Sequence, residues 1–193
     1  MVYFDQAGDN TERTLNIAKD EALKRGIKYV VVASTRGSTG VRAAQIFRNA
    51  GIKLIVVAHS TGHLEAGVQL LPAEKKGEIE DLGGMVLIGT DAISSFNTLM
   101  RNRGVYTQQS LIRDVLGMFG HGMRVCVEIV SMASDANLIP MEDVIAVAGS
   151  ARGADTCILI QANSSNYLFD MKIREILAKP RDFPITPWRT VKP

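Results

Sequence analysis

Cysteine is nearly absent: Cys126 and Cys157 are the two that 193 residues hold, and no C-x-x-C pair occurs. That excludes a disulfide-stapled secreted scaffold and leaves a reducing, cytoplasmic setting as the expectation. A surplus of one charge is missing too, with 22 Lys+Arg against 20 Asp+Glu and a formal net charge of +2. Proteins that coat nucleic acid or lie on membrane surfaces need such a surplus, so neither partner is expected. Long apolar runs are absent, and those present, such as Val30–Ala33 and Leu54–Ala58, are far too short to cross a bilayer. The opening MVYFDQAGDN carries acid and amide where a signal peptide would carry cationic and then apolar residues. Proline is scarce before residue 179; four of the six fall in Lys179–Pro193. Residues 180–193 are therefore expected to form an extended tail, with Trp188, lying on the surface or on a neighbouring subunit.

What is present is core material. Hydrophobic residues make up 46% and charged residues 22%, enough for one domain over residues 1–179. Leu15, Ala18, Ala22 and Leu23 recur at helical spacing behind the cap candidates Asp9, Asn10 and Thr11, and Gly26 ends that helix. GIKYVVVAST at Gly26 is nearly repeated by GIKLIVVAHST at Gly51. Each copy is a glycine stop followed by a β-branched run without alternation, the pattern of a strand covered on both faces. Met85–Ile88, Val144–Ala148 and Cys157–Ile160 read as three further buried strands. Three helical stretches within 92–139 interrupt the rhythm as an insertion. Only eight residues, Gly149–Thr156, separate the last two strands, too few for a crossover helix, so the fifth should return antiparallel at the edge. A final helix is expected over about Leu168–Ala178. The fold class is α/β: a three-layer sandwich on a mostly parallel five-stranded sheet. A high apolar share and the proline-rich tail predict a homo-oligomer.

Three turns carry chemistry. Ser34-Thr35-Arg36-Gly37-Ser38-Thr39-Gly40 follows a buried strand and opens a helix, where unpaired N–H groups and the dipole make an anion site. The glycines would let backbone approach a ligand, and the hydroxyls would add hydrogen bonds; a plain helix cap is the competing reading. No Lys-Ser/Thr follows the glycines, which excludes a P-loop, and the dinucleotide fingerprint is absent as well. The second turn, Gly149-Ser150-Ala151-Arg152-Gly153-Ala154-Asp155, could cover an anion or be only a hairpin. If strands one and four are neighbours, both turns face one crevice.

The third turn, His59-Ser-Thr-Gly-His63, ends the second strand with Glu65 nearby. No helix holds the two histidines on one face and no further cluster completes a site, so His59 is read as cleft wall and no metal is expected. Gly89, Thr90 and Asp91 reach the same edge, where an Asp is also an ordinary helix cap. Glu128, Ser131 and Asp135 form a polar stripe on an apolar helix, read as a solvated face in preference to a carboxylate aimed at the cleft. Both cysteines read as core, and no nucleophile–base constellation assembles.

Taken in order, the Ser/Thr-Gly turn, the strand ending Val-Ala-His and the late Gly-Ser-Ala-Arg-Gly-Ala-Asp-Thr resemble the C-terminal α/β domain of pyruvate kinase. The form resembled is the stand-alone one found among archaeal and bacterial proteins, over about residues 10–63 and 123–179. The stretch 92–122 departs from the kinase domain but is similar to the stand-alone family. The resemblance implies strand order 3-2-1-4-5 with the last strand antiparallel. It also implies a phosphate at Ser34–Gly40 beneath a closing Gly149–Asp155 turn. The kinase's barrel has no counterpart here, so phosphoenolpyruvate chemistry is not implied. The stand-alone relatives imply flavin mononucleotide (FMN) as cofactor, with Asn10 and Thr11 at a neighbouring helix N-terminus. A flavin-dependent oxidoreductase is one expectation. A non-catalytic sensor of a sugar phosphate or nucleotide is the alternative, and a hydrolase built on His59, His63 and a metal ranks behind both.

Overall fold

A computed structural model describes residues 1–150 and 152–184. Seven strands form one sheet in the order β1-β7-β6-β5-β2-β3-β4. They are β1 (Val2–Gln6), β2 (Tyr29–Ala33), β3 (Lys53–His59), β4 (Met85–Gly89), β5 (Asp143–Ala148), β6 (Thr156–Gln161) and β7 (Lys172–Asp182). β6 runs antiparallel to both neighbours, and the remaining pairs are parallel.

The five anticipated strands stand as β4-β3-β2-β5-β6, but the sheet does not stop there. Two strands were not anticipated. β1 buries only Phe4 along its length, so no apolar run marks it. β7 replaces the expected helix over Leu168–Ala178, of which only a 3-10 turn, Ser165–Asp170, remains. Ile173, Ile176 and Leu177 fall at helical spacing, yet the open side of β6 takes this segment as a strand with two register shifts. Pro180 is tolerated there because pairing with β6 ends at Ala178, leaving its missing N–H opposite no acceptor on that strand. The sheet thus continues to Asp182, past the expected tail boundary; Trp188 lies outside the described residues.

Helices cover both faces. On one side pack α1 (Thr11–Arg25), α2 (Ser38–Phe47) and α3 (Ala73–Asp81), through Leu15, Ala18, Phe47 and Ile79 onto Val30, Val32, Val56 and Ile145. On the other side α6 (His121–Asp135) lays Met123, Cys126, Ile129, Val130 and Ala133 onto Val31, Ile55, Val57 and Ala146. Alternate valines of β2 thus enter opposite cores, which is why the run does not alternate with polar residues. α4 (Ser95–Asn102) and α5 (Gln108–Gly117) complete the insertion. Among the described residues no helix is long and apolar enough to cross a membrane.

β2 lies between β3 and β5, paired Val30–Leu54 on one side and Val30–Ile145 on the other. The connections out of β2 and β5 leave in opposite directions from this point, which opens a crevice at the strands' carboxyl ends.

Candidate functional site

A cavity of about 630 Å³ occupies that crevice. Ser34, Thr35, Arg36, Ser38 and Thr39 line it from the β2–α2 turn, and Gly149, Ser150, Arg152 and Gly153 from the turn after β5. The two turns anticipated as one site therefore face one cavity. Thr11 joins them from the start of α1, and His59 from the end of β3. Six other anticipated residues, Asn10, Gly37, Gly40, Gly89, Thr90 and Asp155, lie outside the lining.

At the polar end, the first N–H groups of α2 have no intrahelical acceptors. The Gly40 N–H is taken by Ser34 Oγ at 2.9 Å, which pins the turn to the helix. Lys75 from α3 donates to Ser38 Oγ at 2.8 Å, a cation the sequence pattern did not flag. Arg36, Arg42 and Arg152 line the same end. Asp9 is there as well, but it is engaged: Thr11 donates to it from backbone and hydroxyl, and Arg42 pairs with it at 3.4 Å. The Thr11 hydrogen bond, with Arg42 adding to it, holds the Asp9 carboxyl below its usual range.

The glycines have structural duties. Gly37 adopts φ +85°, and a Cβ there would stand 2.7 Å from Lys75 Cβ and 2.9 Å from Leu71 Cδ1. At Gly40 a Cβ would meet Val56 at 2.7 Å and Ile79 at 2.8 Å. Both glycines thus permit helix packing, where the sequence suggested close approach of a ligand. Asp155 is fully buried and accepts from Gly8 N, Ser150 N, Ser150 Oγ and Thr156 Oγ1, so it ties the turn down rather than facing the cavity.

At the other end α6 presents Val125, Ile129 and Met132, with Val57 and Ala58 from β3, as an apolar wall. Asp91, His121 and Glu128 are set around it. The solvated-face reading of Glu128, Ser131 and Asp135 is overturned for the first two, which are buried. Glu128 accepts from Ile93 N at 2.9 Å, Ser94 N at 2.7 Å and Ser94 Oγ at 2.9 Å, anchoring the entry to α4. Burial first, then the charge of Asp91, raises its pKa against those hydrogen bonds. Asp91 is not the cap of α4: its carboxylate faces His59 Nδ1, 3.0 Å from each oxygen. That hydrogen bond raises the His59 pKa despite partial burial. His63 stacks on His59 with ring centroids 3.6 Å apart, and burial followed by the His59 charge lowers its pKa. His121, whose Nδ1 meets Arg124 Nη2, is pushed down to about 4, by burial first and then by Arg124 and Arg113. Burial raises both cysteine thiols, which leaves them inert core residues.

Sequence reasoning missed the Asp91–His59 pair, because only the β3–β4 register, His59 opposite Gly89, brings Asp91 beside it. It missed the α6 wall because its helical spacing reads as core, and His121 because the Gly120-His121-Gly122 run reads as punctuation between helices, where α6 in fact begins at His121.

No known protein-family profile matches the chain. Solved structures similar to it include Cryptosporidium parvum pyruvate kinase in complex with ADP, 12% identical with a TM-score of 0.41 over 79% of this chain and 24% of that chain. A hydrogen sulfide-producing enzyme from Fusobacterium nucleatum is 18% identical, with a TM-score of 0.33 over 67% of this chain and 41% of that one. The chain thus spans about a quarter of the pyruvate kinase's length. The fold assignment rests on the strand order and layers described above.

Proposed function

We propose that the cleft binds a phosphate-bearing cofactor, FMN, and that the chain is a flavoprotein. The observation that carries this reading is one cavity with two unlike ends. Its polar end offers the N-terminus of α2, four hydroxyls and three arginines; its other end offers the apolar wall of Val57, Ala58, Val125, Ile129 and Met132, against which a planar ring would lie. Its 630 Å³ falls within the roughly 300–1,000 Å³ of ordinary small-molecule sites. Ser34, Thr35, Ser38 and Thr39 would hold the phosphate, and Val125, Ile129 and Met132 would flank the ring. A bound flavin would supply hydride or electron transfer. The chain's own residues would bind and orient it and shield it from water.

The test is titration of purified protein with FMN, riboflavin and a sugar bisphosphate. FMN should bind, and Thr39→Ala should weaken it by roughly ten- to a hundredfold, the worth of one hydrogen bond to a charged group. Riboflavin should bind weakly and be indifferent to Thr39→Ala. Riboflavin binding as tightly as FMN would reduce the β2–α2 turn to a helix cap. A protein indifferent to flavin but stabilised by the bisphosphate would instead be a phosphate sensor. Reduction of a bound flavin by NADH or NADPH would establish an oxidoreductase.

A further inference from the structure

We propose that His59, His63 and Asp91 form a site for a divalent transition-metal ion at the edge of the cleft. Two imidazoles and one carboxylate make the donor set, which leaves coordination positions open.

The donor atoms come from separate segments and converge. His59 Nδ1 lies 3.0 Å from each Asp91 oxygen and His63 Nδ1 lies 3.6 Å from Asp91 Oδ2. All three ligand atoms lie within 4.8 Å of one another. Ligands about 2.1 Å from one ion at angles near 90–110° stand roughly 3.0–3.4 Å apart. The His59–Asp91 spacing already matches, and the His63–Asp91 spacing is a few tenths of an ångström long.

The chain between the histidines is arranged to return His63 to this point. Gly62 turns at φ +90° and donates to Val68 O at 2.9 Å. Gln69 braces the base of the loop: its amide donates to His59 O and Thr61 Oγ1, and its oxygen accepts from Leu71 N. The result sets one ring on the other at an interplanar angle of 11°. Parallel rings cannot both aim a lone pair at one ion, so His63 must turn on binding, and its exposed loop leaves it room to do so.

Asp91 is 6% exposed, and its carboxylate faces these imidazoles. The neighbouring carboxylate of Glu128 is already satisfied by Ile93 and Ser94. A buried carboxylate needs a positive partner, and a metal ion held with two nitrogens supplies one. Nitrogen-rich sets favour zinc, cobalt, iron or nickel over magnesium or calcium. His59 and Asp91 both line the cavity, so open positions on the ion would be available to a molecule bound there. The site stands whether or not the polar end holds phosphate.

The experiment uses chelator-stripped full-length protein. Zn²⁺ is titrated against a chromophoric competitor, and Co²⁺ is followed by its visible absorption. One equivalent should bind. His63→Ala and Asp91→Asn should each cost at least the roughly 10–100-fold that loss of an outer-shell partner costs at known sites. His121→Ala, which removes the third and last histidine of the chain, should leave the affinity unchanged. Melting curves confirm that each variant is folded, and FMN affinity measured alongside reports on the polar end separately. Absence of stoichiometric binding by wild type, wild-type affinity in folded His63→Ala, or an equal loss in His121→Ala would overturn the site. The stacked pair would then be only a latch for the 60–71 loop.

Discussion

Burial of His121 against Arg124 makes stability depend on pH. Its pKa in the folded chain is about 4, against an ordinary 6.5. Between those values the unfolded chain takes up a proton that the folded chain refuses. The His121 contribution is therefore complete above pH 6.5 and is lost as pH falls toward 4, by at most about 1.4 kcal/mol per unit. Glu128 works the other way, since its raised pKa lets the folded state hold a proton the unfolded state has released. The two overlap, so the difference between wild type and His121→Gln isolates the histidine. Denaturant melts at pH 7 and pH 5 should show the variant losing less stability than wild type. Equal losses would mean that His121 protonates freely in the folded chain.

At the scale of the element, the β2–α2 turn joins two tasks that the sequence cannot separate. Gly37 and Gly40 sit where a phosphate-binding loop would have them, yet their hydrogen atoms point at α3 and β3. Gly37→Val should therefore act on stability first. A β-branched residue at φ +85°, pressed on Lys75 and Leu71, should cost at least about 2 kcal/mol in denaturant unfolding. On the FMN reading proposed above, affinity in the fraction that remains folded should fall much less. Full stability with lost affinity would place the glycine's importance on the ligand side instead. Legibility follows the same line. β2, β3 and β5 were readable because burial on both faces demands unbroken β-branched runs. β1 was not, because a strand that buries one phenylalanine leaves no pattern. β7 was misread because three of its apolar residues fall at helical spacing, and only the open edge of β6 decides their fate. The polar end of the cleft was legible as a helix N-terminus. Of the His59–Asp91–His63 cluster, the histidine pair and an Asp91 at the same edge were legible, but not their convergence, which depends on strand register and on a loop closing over itself.

For the whole molecule, the unexplained surface is the outer side of the insertion. α4 and α5 are joined through Asn97, whose Oδ1 accepts from Thr107 Oγ1 and from Ser110 Oγ, so they form one unit. On that unit Phe96 is 69% exposed and Met118, just past α5, is 75% exposed, and Leu99, Leu111, Val115 and Phe119 are exposed as well. Single exposed apolar residues are ordinary, but six on this one unit, four on the helices and two just past α5, exceed what a free surface usually carries. A second copy of the chain is the occupant that closed symmetry favours, since each copy presents the same face. We propose that a homo-oligomer forms through α4 and α5. Light scattering at micromolar concentration should report more than one chain, and Phe96→Asp combined with Met118→Asp should return it to a monomer. Because neither side chain contributes to the buried core, the doubly substituted monomer should keep its secondary structure. A wild-type monomer would refute the assembly. An oligomer that survives both substitutions would move the interface away from the insertion.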